Sequence, residues 1–511
     1  MARIKNAKRN LRYGYLNTIS TLLVKFFTRT FFIYTIGVTY LGVNGLYTNV
    51  LSVLSLADLG ISTALNFSLY KPVATGDLPK IRALMKLFKK AYLGIAFVIT
   101  ILGLALVPFL SILVKDPVGI TTNELRIYYL IFLFNTVSTY FVSYKYSLTN
   151  ADQRNYIQIN FRTVTTILTA VLQIFILVVF NSFLWYLLSA SIIELLHKIF
   201  VNRYINKRYA YLTDAPNENL SKEELAPIIK NIKALIFHKI GSVSVHQTDN
   251  ILISTFINIT TVGIVSNYTL VITSITKFID IMFNSVISGL GNLVATEDIE
   301  KQYYIFKIYR FIGFWLYGFF AISFFLLLGP FIQLWIGKEM VLAANVVSLI
   351  LLDYYLKGHR IVVNNFKIAA GVFDQDKYVA IAQAIVNLVV SIVLVRKVGL
   401  IGIYIGTVVQ GLISTMTRPI ILYSQIFHKK WYLYYKDSII YLIVLAFPLV
   451  ILSMIQNFFF NDITIMNFIL FGVIDVIIVN GFFLLCLWKR EEFKYVVSLL
   501  KRETGLGKDG T

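Results

Sequence analysis

Apolar runs long enough to cross a bilayer, about 20 residues each, alternate along this chain with short polar connections. Fourteen runs can be placed, at 13–33, 46–69, 91–114, 125–148, 163–180, 183–201, 235–256, 264–290, 311–334, 342–364, 379–395, 402–425, 438–456 and 464–488. The pattern predicts an all-α integral membrane protein of about 14 transmembrane helices. No connection is long enough to house a soluble catalytic domain. The longest, near 202–234, contains Ser221-Lys222-Glu223-Glu224, a capping-box pattern that predicts the start of a surface helix.

Composition removes the soluble alternatives. The 511 residues are 57% hydrophobic and only 14% charged, with a mean hydropathy of +0.73, whereas soluble chains run near a quarter charged. Cys486 is the one cysteine, so no disulfide framework exists. The net charge of +21 would suit a nucleic-acid binder, but its distribution does not. Segments 1–12, 71–90, 149–162, 198–234, 295–310, 365–378, 426–437 and 489–511 hold 34 Lys and Arg, against four on the opposite side: Lys115, Lys338, Arg396 and Lys397. Such an imbalance sets orientation, with both termini cytoplasmic in a multi-pass membrane protein. Nucleic acid is excluded, since no loop carries a folded domain on which a basic reading face would form. Met1–Arg12 is basic and no small-residue cleavage site follows, so the first run is expected to remain as a span.

The chain also repeats itself weakly at a constant offset. Val73–Lys80 reappears as Val294–Lys301, 221 positions on, and Asp152–Ile157 as Asp374–Val379, 222 positions on; at that offset Lys145 falls on Lys367. Gly45–Asn49 is also similar to Gly263–Asn267, 218 positions on. The offset covers six spans, an even number, so the two copies share one orientation. Parallel repeats of this kind lie about an axis along the membrane normal, with substrate at their interface. The expected organisation is a six-helix lobe over 1–201, a cytoplasmic connector over 202–234, a second six-helix lobe over 235–425, two additional helices over 426–488, and a cytoplasmic tail over 489–511.

Nine basic residues fall inside the runs: Lys25, Arg29, Arg126, Lys145, Lys239, Lys277, Lys357, Arg360 and Arg418. Six acids join them: Asp58, Glu194, Asp249, Asp280, Asp353 and Asp475. Each charge left facing lipid costs roughly 2.5–3.5 kcal/mol at a helix centre, so they call for partners, water or snorkelling. Arg126, Lys145, Glu194 and Arg418 lie near span ends, where snorkelling is expected. Helical spacing places Thr18, Thr21, Lys25 and Arg29 on one face, Thr273, Lys277, Asp280 and Asn284 on another, and Asp353, Lys357, Arg360 and Asn364 on a third. By spacing alone, Lys277/Asp280 and Asp353/Lys357 are pairing distance apart. The nine-to-six excess predicts an anion in any shared cavity, with Lys25, Arg29, Lys239, Lys277, Lys357 and Arg360 as candidate ligands. Asp58, His246, Asp249, Asp353 and Asp475 are candidates for Na⁺ or H⁺ coupling or for counter-ions. His246 and His359 lack a Cys/His/carboxylate cluster of ligand spacing, so no metal site is expected. No Walker loop or other enzymatic constellation is present, and no cofactor is called for.

With these features in place, Tyr40–Leu46, Leu54–Gly60 and the stretch from Phe237–Gly241 through Thr248–Ser254 resemble the polysaccharide (capsule or O-antigen repeat-unit) flippases of the multidrug/oligosaccharidyl-lipid/polysaccharide (MOP) exporter superfamily. The resemblance implies translocation of undecaprenyl-diphosphate-linked oligosaccharide between leaflets by two rocking lobes. The lipid-linked oligosaccharide, membrane lipids, a polysaccharide polymerase and assembly proteins would be its partners. Relatives that flip the cell-wall precursor hold the diphosphate with arginines in the first two spans; the matching location in the first span carries Lys25 and Arg29, while the second offers Asp58. Lysine contributes a point charge there rather than the bidentate fork of arginine. Two other readings stand beside this one: an ion-coupled multidrug antiporter of the same fold, which would want an acidic or aromatic cavity, and a membrane-embedded polymerase or glycosyltransferase, which would carry a large outer module.

Overall fold

Apolar runs of this length fold as helices because a chain surrounded by hydrocarbon must satisfy every backbone N–H and C=O internally. The computed structural model describes residues 2–212, 220–221, 223–229, 248–372 and 377–503, and among these helix follows helix with no strand. The longer helices are α1 (Ala2–Ile36), α2 (Val38–Leu54), α3 (Leu56–Thr75), α4 (Leu78–Leu106), α5 (Thr122–Ala151), α6 (Tyr156–Phe180) and α7 (Phe183–Arg208). They continue as α8 (Ile259–Ser285), α9 (Ile287–Thr296), α10 (Ile299–Ile336), α11 (Ala344–Ala369), α12 (Lys377–Val398), α13 (Leu400–Gln425), α14 (Tyr432–Phe459), α15 (Ile465–Leu487) and α16 (Glu491–Glu503).

Eleven helical stretches among the described residues are long and apolar enough to cross a membrane, and each overlaps one of the fourteen expected runs. The three others have distinct reasons. The run at 46–69 is two helices, α2 and α3, meeting at Ser55, where the backbone N–H and the hydroxyl both turn back to the Leu51 carbonyl. The run at 235–256 lies mostly outside the described residues. The run at 342–364 forms α11, whose middle carries Asp353, Lys357 and Arg360 and is too polar to qualify on hydropathy.

Surfaces are inverted relative to a soluble protein. On α6, Val171, Phe175 and Val178 are exposed (64%, 56% and 60%), while Thr165, Gln173 and Leu177 are buried on the opposite side. A stripe of bare Val and Phe at helical spacing suits lipid and no aqueous phase.

The duplication is visible in the helix boundaries. Val38 and Ile259 open α2 and α8, and Leu78 and Ile299 open α4 and α10, each pair 221 residues apart; Thr122 and Ala344 open α5 and α11 one residue further. The caps repeat as well. Asp77 accepts from the Lys80 N–H at 3.1 Å and Asp298 from the Lys301 N–H at 2.8 Å, each satisfying an orphan donor at a helix start. Each copy also carries a two-part helix over the equivalent stretch, 38–75 and 259–296, but the break falls at Ser55 in the first and ten residues further along, at Val286, in the second.

Packing divides the chain into unit 1, Met1–Ser266, and unit 2, Asn267–Thr511, so the division falls inside α8. In unit 1, α1 packs along α6, α4 along α5, and α7 against both α5 and α6. The first two turns of α8 press on α2 so closely that a side chain on Gly42 would meet the Ile259 carbonyl, and one on Gly263 the Val38 carbonyl. In unit 2, α12 and α13 form a tight pair, α11 packs on α13 and α10, and α10 carries α14, α15 and α16. The amphipathic α16 is held by Phe493 stacked on Trp315 at 6.1 Å and by Glu492 with Lys307 at 3.8 Å. Residues 504–511, the end of the expected tail, lie outside the described set.

Candidate functional site

In unit 1 the first polar face is built on α1. Asn17, Thr21, Lys25 and Arg29 follow one another at four-residue steps and so share a face. Asn17 accepts from Thr163 Oγ1 of α6 at 2.8 Å, and Arg29 Nη1 donates to Ser266 Oγ of α8 at 2.6 Å. Ser266 in turn donates to the Gly263 carbonyl at 2.7 Å, so the guanidinium is tied to the same turn that packs against α2. Lys25 is exposed and Arg29 half-buried. Asp58 lies in the first turn of α3, its side chain outside the described set; Lys239 and His246 are outside the described residues altogether. Asp249 is half-buried on the helical stretch 248–256.

A second polar seam in unit 1 runs between α5 and α7. Asn135 donates to Ser191 Oγ at 2.8 Å, and Lys198 Nζ donates to Ser138 Oγ at 2.7 Å and to the Asn135 carbonyl at 3.3 Å. His197 sits between Tyr146 Oη at 3.0 Å and Thr165 Oγ1 at 2.7 Å. Lys145 Nζ donates to the carboxamide oxygens of both Asn202 and Asn206. This corrects the expectation that Lys145 snorkels: it is 7% exposed, because two amide oxygens on the facing helix replace the water an ammonium would otherwise seek. Asn135, Ser138, Asn202 and Asn206 escaped the sequence reading, which followed charges. Helical spacing of Asn and Ser with the lysines was the available signal.

Unit 2 holds the polar face of α11. Arg360 donates to Asp353 Oδ1 at 2.9 Å, and Lys357 lies 3.9 Å from Asp280 of α8, which also accepts from Tyr317 Oη at 3.1 Å. Sequence spacing allows Lys277 with Asp280 and Asp353 with Lys357; the structure instead sets Lys357 against Asp280 and Arg360 against Asp353. Tertiary packing decides this, since neighbours on one exposed helix face gain only a few tenths of a kcal/mol, whereas α8 and α11 bring Asp280 and Lys357 together from different helices. Lys277 remains exposed on α8. Arg418 is also tied inward, donating to Asn364 Oδ1 at 2.9 Å. Gly411 makes room for the Arg360–Asp353 pair: a side chain there would stand 2.5 Å from Arg360 Nη1 and 2.8 Å from Asp353 Oδ1. His359 is packed between the rings of Tyr355 and Tyr441.

Arg310, counted in the sequence among the inner connections, is instead 2% exposed within α10. Its Nη2 donates to the Tyr434 carbonyl at 2.7 Å and to Ser438 Oγ at 2.5 Å, its Nη1 lies 3.6 Å from Asp437, and the guanidinium stands 3.8 Å over the Tyr434 ring. The planar fork and the ring face are used together, which an ammonium could not do. Asp475, on α15, accepts from Ser323 Oγ of α10 at 2.5 Å.

This chain shares its multi-pass helical fold with solved membrane transporters, among them one described as belonging to the MOP superfamily. A lipid II flippase, MurJ, in an inward closed conformation superposes with a TM-score of 0.66 over 94% of this chain and 100% of its own, at 13% identity. An inward-facing multidrug resistance MATE family transporter of the MOP superfamily gives 0.60 over 79% and 95%, at 14% identity. The Vibrio cholerae MATE transporter VcmN, as a variant, gives 0.53 over 84% and 99%, at 14% identity. At these identities the likeness is one of fold. No protein-family model and no curated protein sequence matches the chain.

Proposed function

We propose that this protein is a flippase that carries undecaprenyl-diphosphate-linked oligosaccharide repeat units from the inner to the outer leaflet of a bacterial plasma membrane, for capsule or exopolysaccharide assembly, by alternating access around a cationic cavity. One observation carries the reading: the match to the lipid II flippase covers 94% of the chain. The helices α14 and α15, which lie outside the duplication, are too long a part of the chain for such a match to omit both. The charge balance supports the same substrate. A diphosphate leaving water needs cations and donors in place of its hydration shell, and Lys25 and Arg29 present two on one face of α1, as the resemblance to diphosphate-binding relatives also implies. Lys239, Lys277, Lys357 and Arg360 are assigned as further ligands. Asp58, His246, Asp249 and Asp353 are assigned to ion coupling or charge compensation.

The experiment is transport of a fluorescent undecaprenyl-diphosphate-linked saccharide across proteoliposomes. Lys25→Ala combined with Arg29→Ala is expected to abolish it while the protein remains folded in detergent. Undiminished transport by that variant would remove the anion site. The antiporter reading has its own support, since Lys357 and Arg360 are each within ion-pair distance of an acid, which lowers the positive charge unit 2 offers. Uptake of a cationic dye in the same vesicles, with no movement of the lipid-linked saccharide, would favour it.

A further inference from the structure

Asp475 lies near the middle of the 23-residue α15 and is 1% exposed. Its Oδ2 accepts the single hydrogen bond from Ser323, while Oδ1 is sealed from solvent with no hydrogen-bond partner. The neighbours on its own face, Phe471, Val479 and Phe483, are buried and apolar. The two helices packed against α15 are α10 and α14. On α10 the ionisable side chains end at Tyr317, which is engaged with Asp280; its cations Lys301, Lys307 and Arg310 are in the first third. Arg310, the nearest of them along the helix, is thirteen residues before Ser323, about 20 Å at 1.5 Å per residue. On α14 they end at Tyr441, with Lys436 and Asp437 still nearer its start. No ion pair is formed by Asp475 among the described residues.

A carboxylate here would carry a full charge at mid-depth with one hydroxyl to stabilise it. Anionic carboxyls held in proteins take two or three donors or a cation, and a charge at the helix centre is strongly disfavoured. A metal ion would ask for several oxygen ligands, where α10 and α15 supply one carboxyl and one hydroxyl. A proton needs only the free Oδ1. In the neutral form the carboxyl keeps α15 seated on α10 through Ser323. In the anionic form both oxygens must be hydrated, which the sealed packing forbids unless α15 moves off α10.

We infer that Asp475 is a proton-binding site whose deprotonation and the parting of α15 from α10 are one event, so that the helices outside the duplication couple proton exchange to transport. The proton passes to water when the helices separate and is taken back from water before they close. The coupling to transport rests on the reading of the protein as a transporter; the proton exchange and helix movement do not.

The test uses the full-length protein in vesicles of phosphatidylethanolamine and phosphatidylglycerol. Infrared difference spectra across pH are expected to show one protonated carboxyl band that titrates in the wild type and is lost in Asp475→Asn, which keeps an acceptor for Ser323. Amide hydrogen exchange along α15 is expected to rise as that band disappears in the wild type and to stay flat in Asp475→Asn. If the fluorescent lipid-linked saccharide is transported, its response to an imposed pH gradient is expected to vanish in the same variant. A band that persists at every pH where the protein is folded, or α15 exchange that rises equally in Asp475→Asn, would overturn the inference. A titrating band and moving helix with no saccharide transport would overturn the function reading alone, and a pH-gradient response retained in Asp475→Asn would overturn the coupling.

Discussion

Thr39 and Thr260 face each other with their hydroxyl oxygens 3.2 Å apart, and the 221 residues between them equal the interval between the first residues of their helices, Val38 and Ile259. The contact is reciprocal. Gly42 lies against the carbonyl of Ile259 and Gly263 against the carbonyl of Val38, so the same Thr-x-x-Gly step from each copy of the duplication meets its counterpart. Small residues let helix backbones approach this closely in membranes.

Gly42→Val or Gly263→Val is therefore expected to destabilise the protein by about 1–3 kcal/mol, because the new side chain strikes a backbone carbonyl that has no rotamer to yield. Gly45→Ala makes the contrast: its Cβ would meet only Val262 Cγ1 at 3.5 Å, ordinary contact, and alanine is the better helix former. Thermal unfolding in detergent should show a lowered midpoint for the first two and none for the third.

The Arg360–Asp353 pair is mostly shielded, with side-chain exposures of 11% and 24%. Removing one partner of such a pair strands the other, at a cost of about 3 kcal/mol, whereas removing both costs less. Asp353→Asn alone should thus lower stability more than Asp353→Asn with Arg360→Gln. A double-mutant cycle read by chemical unfolding decides it, and additive losses would show the two do not act as a pair.

Arg310→Lys is expected to loosen α14 from α10. Lysine retains the charge opposite Asp437 but cannot bridge the Tyr434 carbonyl and Ser438 while lying on the Tyr434 ring. A loss of about 2 kcal/mol is expected for a buried charged hydrogen-bonding group with its partners left short, visible as earlier proteolysis near 426–431 as well as a lower unfolding midpoint.

At the surface, Ser221 and Glu224 form the capping box, with Ser221 N–H to Glu224 Oε2 at 3.1 Å and Glu224 N–H to Ser221 Oγ at 3.2 Å, and Lys80 Nζ donates to Glu224 Oε1 at 2.7 Å. The Lys80 hydrogen bond, then that of the Ser221 N–H, hold the Glu224 carboxyl below its ordinary value of 4.5. A depressed carboxyl adds stability that is fully present above the ordinary value and is lost as pH falls through the folded one. Hydrogen exchange of 223–229 should accelerate as pH drops below about 4.5, by a small factor because the pair is solvent-screened, and Glu224→Gln should remove the dependence.

Much of this was legible beforehand for a physical reason. Helix positions follow from hydropathy, the start of the surface helix from Ser221 and Glu224, and the duplication from residues such as Asp77 and Asp298, which are caps whose chemistry is local. Partner choice was not legible. Helical spacing reports which residues share a face, as it did for Asp353, Lys357 and Arg360, but says nothing of the facing helix, so for Asp280 of α8 it allows only the neighbour Lys277. Arg310 was counted as a loop residue because the inner ends of spans are where arginine usually meets water. Its burial depends on Tyr434 and Ser438, more than a hundred residues away.

The stacking of Phe493 on Trp315 and the Lys307–Glu492 contact make the stretch after α15 part of the scaffold rather than a trailing end. A truncation before Glu491 would strip an aromatic cover from α10 and bare Trp315 at the membrane edge. Purification handles or fluorescent reporters belong after Glu503, where they leave that cover intact.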